Sequence, residues 1–238
     1  MSKGQYTENC LICGKPLVYT ETVSMETCFI CFKSRYTDVV CEAGHFVCDD
    51  CHSEDGMEGI KLIAHDTKYE DPILIATEMM RDLSINMHGP EHHFLVAAAL
   101  LAAYKNAGGE IDFDNTLFNA GLRAKEVPGG ICGMWGSCGA GIATGIFISL
   151  LTGATPLSEK EWSLANQMTS LSLGSIAENG GPRCCKRNTY LAIFQAVAFI
   201  KEYNGVTMDI PEQVTCEFFK RNAQCKKAEC LYYGQRDK

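Results

Sequence analysis

The hydrophobic rhythm of the chain changes near position 71. Beyond it, apolar residues return every three or four positions, the period of a helix with one buried face. "EDPILIATEMMRDLSINM" (70–87) puts Pro72 at a first helical position, where its missing N–H costs nothing. "HGPEHHFLVAAALLAAYKNAGG" (88–109) repeats the design, opened by Pro90 and closed by Gly108 and Gly109. "DNTLFNAGLRAKEV" (114–127) is a shorter helix that stops before Pro128. "GSCGAGIATGIFISLLTG" (136–153) is apolar on nearly every side. Ser158-Glu159-Lys160-Glu161 reads as a capping box before "WSLANQMTSLSLGSIAENGG" (162–181). A further helix opens in "GGPRCCKR" (180–187), with Pro182 setting its first turn, and runs to about Asn204. "VTCEFFKRNAQCKKAECLYY" (214–233) follows. Strand alternation is confined to short stretches before position 57. The expected fold is mainly α: a small N-terminal zinc-binding finger over 1–57, then an all-α helical domain over 71–238.

No charged residue lies between Glu126 and Glu159, so this apolar segment has to be weighed as a membrane span. Its Gly, Thr and Ser content and the shortness of its densest apolar part favour a buried core helix. No second segment of that kind exists, and no membrane association is expected.

Composition narrows the classes. Apolar residues make up 46% of the 238, enough for a real core. The net charge of −8 argues against nucleic acid as a partner. The N-terminus "MSKGQYTENC" has no apolar leader, so a cytoplasmic location is expected. Fourteen cysteines in such a chain read as metal ligands or redox thiols.

Eight ligand candidates crowd the first fifth of the chain: Cys10, Cys13, Cys28, Cys31, Cys41, His45, Cys48 and Cys51. Two residues between paired cysteines allow a tight knuckle whose two sulfurs reach one ion, and eight ligands fill two tetrahedral zinc sites. A segment this small lacks a core of its own, so metal binding supplies its stability. Up to Met57 there are four Lys or Arg and nine Asp or Glu. So acidic a module repels phosphate backbones and suits a protein partner. The run "CEAGHFVCDDC" (41–51) resembles the middle of a RING-type finger. That resemblance implies interleaved ligands, with Cys10, Cys13, Cys41 and His45 on one ion and Cys28, Cys31, Cys48 and Cys51 on the other. The order of pairs departs from the RING pattern, so ubiquitin-ligase activity is not implied. Two consecutive sites remain the alternative.

Three later helix starts carry unusual residues. His88, His92 and His93 surround Pro90; Cys132 and Cys138 enter the apolar helix; Cys184 and Cys185 open the helix after Pro182. Free N–H groups and the positive dipole end favour a thiolate and disfavour imidazolium there. At least one of Cys184 and Cys185 is therefore expected to be a low-pKa thiolate or a metal ligand. Adjacent helical residues point about 100° apart, so only one of the two should face the interior. Arg183, Lys186 and Arg187 beside them are candidates for holding an anion. Cys216, Cys225 and Cys230 form a further trio that could hold zinc or an iron–sulfur cluster with a fourth ligand from elsewhere.

"GGICGMWGSCGAGIATGIFISLLTG" (129–153) resembles the glycine-rich core of the C-GCAxxG-C-C redox family. With "HGPEHH" (88–93) and "GGPRCCKR" it resembles more closely the domain of unknown function 5714 family, from about Ile73 to the C-terminus. The resemblance implies that the His, Gly-Cys and Cys-Cys segments belong to one site, with Cys138, Cys184 and Cys185 as its reactive thiols. An early cysteine of the C-GCAxxG-C-C pattern is replaced by His92 or His93, which favours metal over simple disulfide exchange. Two functions follow as expectations. One is thiol or iron–sulfur redox or sulfur-handling chemistry on a small anionic or sulfur-bearing substrate. The other is a non-catalytic zinc adaptor docking a partner enzyme through the acidic finger.

Overall fold

The computed structural model describes residues 10–234, without the side chain of Ser53. The first nine residues of the expected finger and the last four of the helical domain lie outside it. A hairpin comes first: β1 (Leu17–Thr27) pairs antiparallel with β2 (Ser34–Cys41), Leu17 opposite Cys41 and Thr27 opposite Ser34, with an irregularity between Tyr19 and Ser24. Eight α-helices follow among the described residues: α1 (Asp49–Asp66), α2 (Pro72–Arg81), α3 (Glu91–Asn106), α4 (Phe113–Lys125), α5 (Ile131–Met134), α6 (Gly139–Thr152), α7 (Lys160–Glu178) and α8 (Cys185–Asn204). The fold is mainly α, with a small Cys/His-rich finger ahead of the helices.

The core is built around α3. Every residue from Glu91 to Tyr104 is buried, because α1, α2, α4, α6 and α8 all pack against it. Alanines at 97, 98, 99, 102 and 103 let these neighbours approach closely. α6 is buried too, and α7 lies along it: a Cβ at Gly141 or Gly145 would collide with Leu173 or Thr169. Among the described residues no helix is long and apolar enough to cross a membrane.

The starts of the helices differ from expectation in instructive ways. Pro72 does occupy the first turn of α2, capped by Asp71 Oδ1, which accepts from the amides of Ile73 (2.8 Å) and Leu74 (3.1 Å). The expected capping box does not form. The Ser158 hydroxyl accepts from Thr155 N at 3.0 Å inside the preceding turn, and α7 begins without a side-chain cap. Pro182 precedes the N-cap of α8, Cys184, by two residues and is not in the first turn. The segment 205–234 has no α-helix. It wraps the core through two 3-10 turns, Phe219–Arg221 and Lys227–Glu229, and a bridge between Cys216 and Tyr233. Position 57, the expected edge of the finger, falls inside α1, whose Met57, Ile60 and Ala64 join the helical core.

Candidate metal centres and thiol cleft

Two ligand groups form in the finger, and they interleave. The ligand atoms of Cys10, Cys13, Cys41 and His45 lie within 4.8 Å of one another, and so do those of Cys28, Cys31, Cys48 and Cys51. His45 Nδ1 stands 3.7, 3.3 and 3.6 Å from the sulfurs of Cys10, Cys13 and Cys41. Cys13 and Cys41 sulfurs are 3.8 Å apart, and those of Cys31 and Cys48 3.7 Å. Four ligands at zinc–sulfur bond length on a tetrahedron stand about 3.7 Å apart, so the donor sets fit a tetrahedral ion.

Local turns aim these sulfurs. After Cys13 the chain turns through left-handed Gly14, whose N–H donates to Cys10 O at 2.8 Å. After Cys31 it does the same through Phe32, whose N–H donates to Cys28 O at 2.9 Å. Phe32 adopts φ +59° without being glycine, a strained choice that the knuckle enforces. Amides then point at sulfur: Ile12 N to Cys10 Sγ at 3.4 Å and Ala43 N to Cys41 Sγ at 3.3 Å. Without an ion the thiols cannot all ionise together. Burial opposes ionisation of Cys28, but the amides of Cys31, Cys48 and Ile30 outweigh it and bring its pKa to about 6. Cys51 is driven strongly upward by burial and by neighbouring thiols. A divalent cation removes that conflict. Because ligation displaces protons, metal affinity should fall as pH is lowered. Chelator competition with zinc at about pH 8 and about pH 5.5 measures this; equal affinity at both would exclude thiolate ligation.

Beneath the finger lies a cleft of about 800 Å³. The hairpin and the first turn of α1 form one wall; the starts of α3, α6 and α8 form the other. His88, His92, His93, Cys132, Cys138, Cys185 and Arg183 all line it. The three helix starts thus meet in space. His93 Nδ1 faces Val127 O at 3.0 Å and His92 Nδ1 faces Gly89 O at 3.1 Å. A carbonyl only accepts, so each Nδ1 carries the proton and each Nε2 offers a bare lone pair. Burial lowers the pKa of both rings and keeps them neutral. The His93 ring lies directly on Gly139, where any Cβ would overlap it. Cys138 caps α6 and its sulfur accepts from Asn188 Nδ2 at 3.3 Å.

Cys184 and Cys185 part company. Cys185 faces the cleft, near Cys138 and Glu91, and its sulfur accepts from the Gly89 amide. Cys184 faces a second, smaller cavity with Cys216, Cys225 and Cys230. Neither free thiol is acidic. Burial pushes Cys185 up to about 12 and also raises Cys184 and Cys132. At the start of α8 desolvation of the sulfurs outweighs the dipole and the cations, so burial favours the thiol form in the metal-free protein.

The expected anion clamp is corrected as well. Lys186 is fully buried, and its Nζ donates to Asn86 O at 2.9 Å. Arg187 is buried and donates to Gly180 O (2.6 Å), Pro182 O (3.1 Å) and Asn188 Oδ1 (3.3 Å), which ties down the approach to α8. Of the three, only Arg183 lines the cleft, where it donates to the Tyr19 hydroxyl of β1 at 3.2 Å. Residues that the spacing did not single out are Glu91, Asn188 and Asn222. Glu91 is a buried carboxyl raised to about 7 by burial, although Lys186 and the Asn86 amide pull it down. The one signal for Asn188 was a polar residue on an otherwise buried helical face.

No curated protein and no solved structure matches this chain. A family model does, over residues 60–233, from within α1 to the bridge that closes the last segment. That span takes in the cleft's three helix starts and all seven cysteines beyond the finger, and the chain belongs to the family of unknown function DUF5714.

Proposed function

We propose that this is a zinc-stabilised thiol protein of the cytoplasm that handles a small sulfur-bearing or electrophilic substrate in the cleft. The observation that carries the reading is the meeting of Cys138 and Cys185, from separate helix starts, with bare imidazole nitrogens in one cleft. Two zinc ions hold the finger, which roofs the cleft. Cys185 and Cys138 are the reactive thiols. A thiol as weakly acidic as Cys185 needs a proton acceptor, and the Nε2 atoms of His92 and His93 supply one. The thiolate forms a bond to the substrate's electrophilic sulfur, and the leaving group departs with the electron pair. Arg183 holds an anionic group of the substrate.

The test is site-resolved labelling of the reduced, zinc-loaded protein with a small thiosulfonate, read by mass spectrometry. Cys185 or Cys138 should react first among the thiols beyond the finger. His93→Gln should slow that thiol by about tenfold or more, toward the range of a positioned base. Uniform labelling, or an unchanged rate in His93→Gln, would reject the reading.

The finger's surface favours a second role, docking a protein partner. Phe32 (78% exposed), Tyr36 (73%) and Val23 (65%) stand out from an otherwise acidic module. In this reading the cleft's thiols are idle. Phe32→Ser would then abolish partner capture and leave thiosulfonate labelling unchanged.

A further inference from the structure

The wrapping segment 205–234 brings Cys216, Cys225 and Cys230 to one small cavity, and the N-cap of α8 brings Cys184 to the same place. This cavity is separate from the cleft. Its other walls include Met87, Phe219, Tyr232 and Tyr233, largely apolar surfaces that exclude water. Four cysteines from distant parts of a chain do not gather for packing alone, since any small apolar residue would fill such a site.

The donors around the sulfurs make the case specific. Lys227 N points at Cys225 Sγ at 3.3 Å, two residues on, the same turn that Ile12 makes on Cys10 and Ala43 on Cys41 in the finger. The Phe218 amide serves Cys216 and the Arg187 amide serves Cys184. Asn222 Nδ2 adds a donor to Cys184 at 3.5 Å. Among the described residues, the non-glycines with positive φ are Phe32 and Lys227. One follows Cys31 of the finger; the other follows Cys225 by two. Such strain persists where the surroundings enforce a geometry, and here both cases sit at cysteine turns. Arg187 and Lys226 also line the cavity and offset the negative charge that four thiolates would bring.

We propose that Cys184, Cys216, Cys225 and Cys230 are the four thiolate ligands of an iron–sulfur cluster. A single zinc ion draws its four sulfurs together as tightly as in the finger. Among the described residues only the two finger groups close to within 4.8 Å. A cluster places its thiolates on separate irons, so its ligand sulfurs stand farther apart, as in this cavity. On binding, each thiol gives up its proton to solvent and forms one sulfur–iron bond. Cys184 then holds the cluster while its neighbour Cys185 faces the cleft.

The experiment uses the full chain, purified without oxygen and reconstituted with ferrous and ferric iron and sulfide. About four irons and four acid-labile sulfides per chain are expected, with broad visible absorption. Cys225→Ser and Cys230→Ser should each lose the colour, while zinc content and helical circular dichroism report that the variant is folded. Cys28→Ser in the finger and Cys185→Ser in the cleft should keep it. The proposal is overturned by a colourless wild type, by a third zinc in place of iron and sulfide, or by loss of the cluster in folded Cys28→Ser. Failure of the cluster would leave the thiosulfonate result at Cys138 and Cys185 untouched, so the two readings are separable. Should Cys225→Ser and Cys230→Ser both misfold, the iron-to-sulfide ratio of wild type and its retention in Cys28→Ser decide the matter.

Discussion

Cys28→Ser is expected to cost the protein one of two zinc ions and to unravel the base of the hairpin. Cys28 is fully buried, and its sulfur accepts from Cys48 N at 3.4 Å. Its own N–H donates to Lys33 O at 3.0 Å, so it closes the second knuckle as well as ligating. Structural zinc contributes about 10–16 kcal/mol of apparent binding energy in small fingers, far more than the finger's exposed hairpin can replace. Serine is a poor ligand for zinc, so the remaining three thiols hold the ion weakly. The damage should reach the first turn of α1, where Cys51 sits, and stop before the helical core. Metal analysis with limited proteolysis reads both parts: one zinc per chain, new cleavage before about position 57, and α2–α8 intact. Two zincs retained in the variant would contradict the interleaved groups.

Lys186→Met is expected to weaken the helical core near pH 7, by up to about 3–5 kcal/mol, as for a buried charge pair that loses one partner. Lys186 and Glu91 are both fully buried and both bound to the backbone of Asn86: Nζ donates to its carbonyl and Oε1 accepts from its amide, each at 2.9 Å. Burial lowers Lys186 to about 7, although Glu91 pulls it up. Burial raises Glu91 to about 7, although Lys186 pulls it down. Without Lys186 the Glu91 carboxylate has no countercharge, and the carboxyl rises further above its unfolded value of 4.5. Its contribution is then full below about pH 4.5 and lost as pH rises through the folded pKa. The penalty of the substitution should therefore be small near pH 5, where Glu91 is protonated, and larger near pH 7. Adding Glu91→Gln should recover part of the loss. Urea unfolding at the two pH values measures it; an equal loss at both would mean packing alone.

The helices were legible because a buried face repeats every three to four residues whatever it packs against. Pro72 was read correctly because a proline with Asp71 before it leaves little else to do. Pro182 was read wrongly for the opposite reason: fixing one φ does not start a helix, and the chain makes a further turn before Cys184. Ser158 shows that a capping sequence competes with other turns for one hydroxyl. The finger's ligand residues stood out by spacing, since few other uses repeat pairs of cysteines with two residues between them. Burial was what the sequence withheld. Lys186 and Arg187 look like a solvated basic edge in one dimension, and only the packing of α8 turns them inward. The pair at 184 and 185 was expected to send one thiol inward. Instead both point inward, because two separate cavities flank the start of one helix.

α1 has a part in three places at once. Cys51 in its first turn closes a finger site, Asp49 accepts from Gly129 N at 2.8 Å, and His52 lines the cleft. Further along the same helix, Ile60 and Ala64 are locked into the core. Filling the second finger site therefore fixes the orientation of residues that shape the cleft's rim. By reciprocity, a ligand that needs this rim must tighten an ion in the finger by the same factor that the ion tightens the ligand. The supply of whichever metal fills the finger would thus become an input to what the cleft retains, with a rigid helix as the connection.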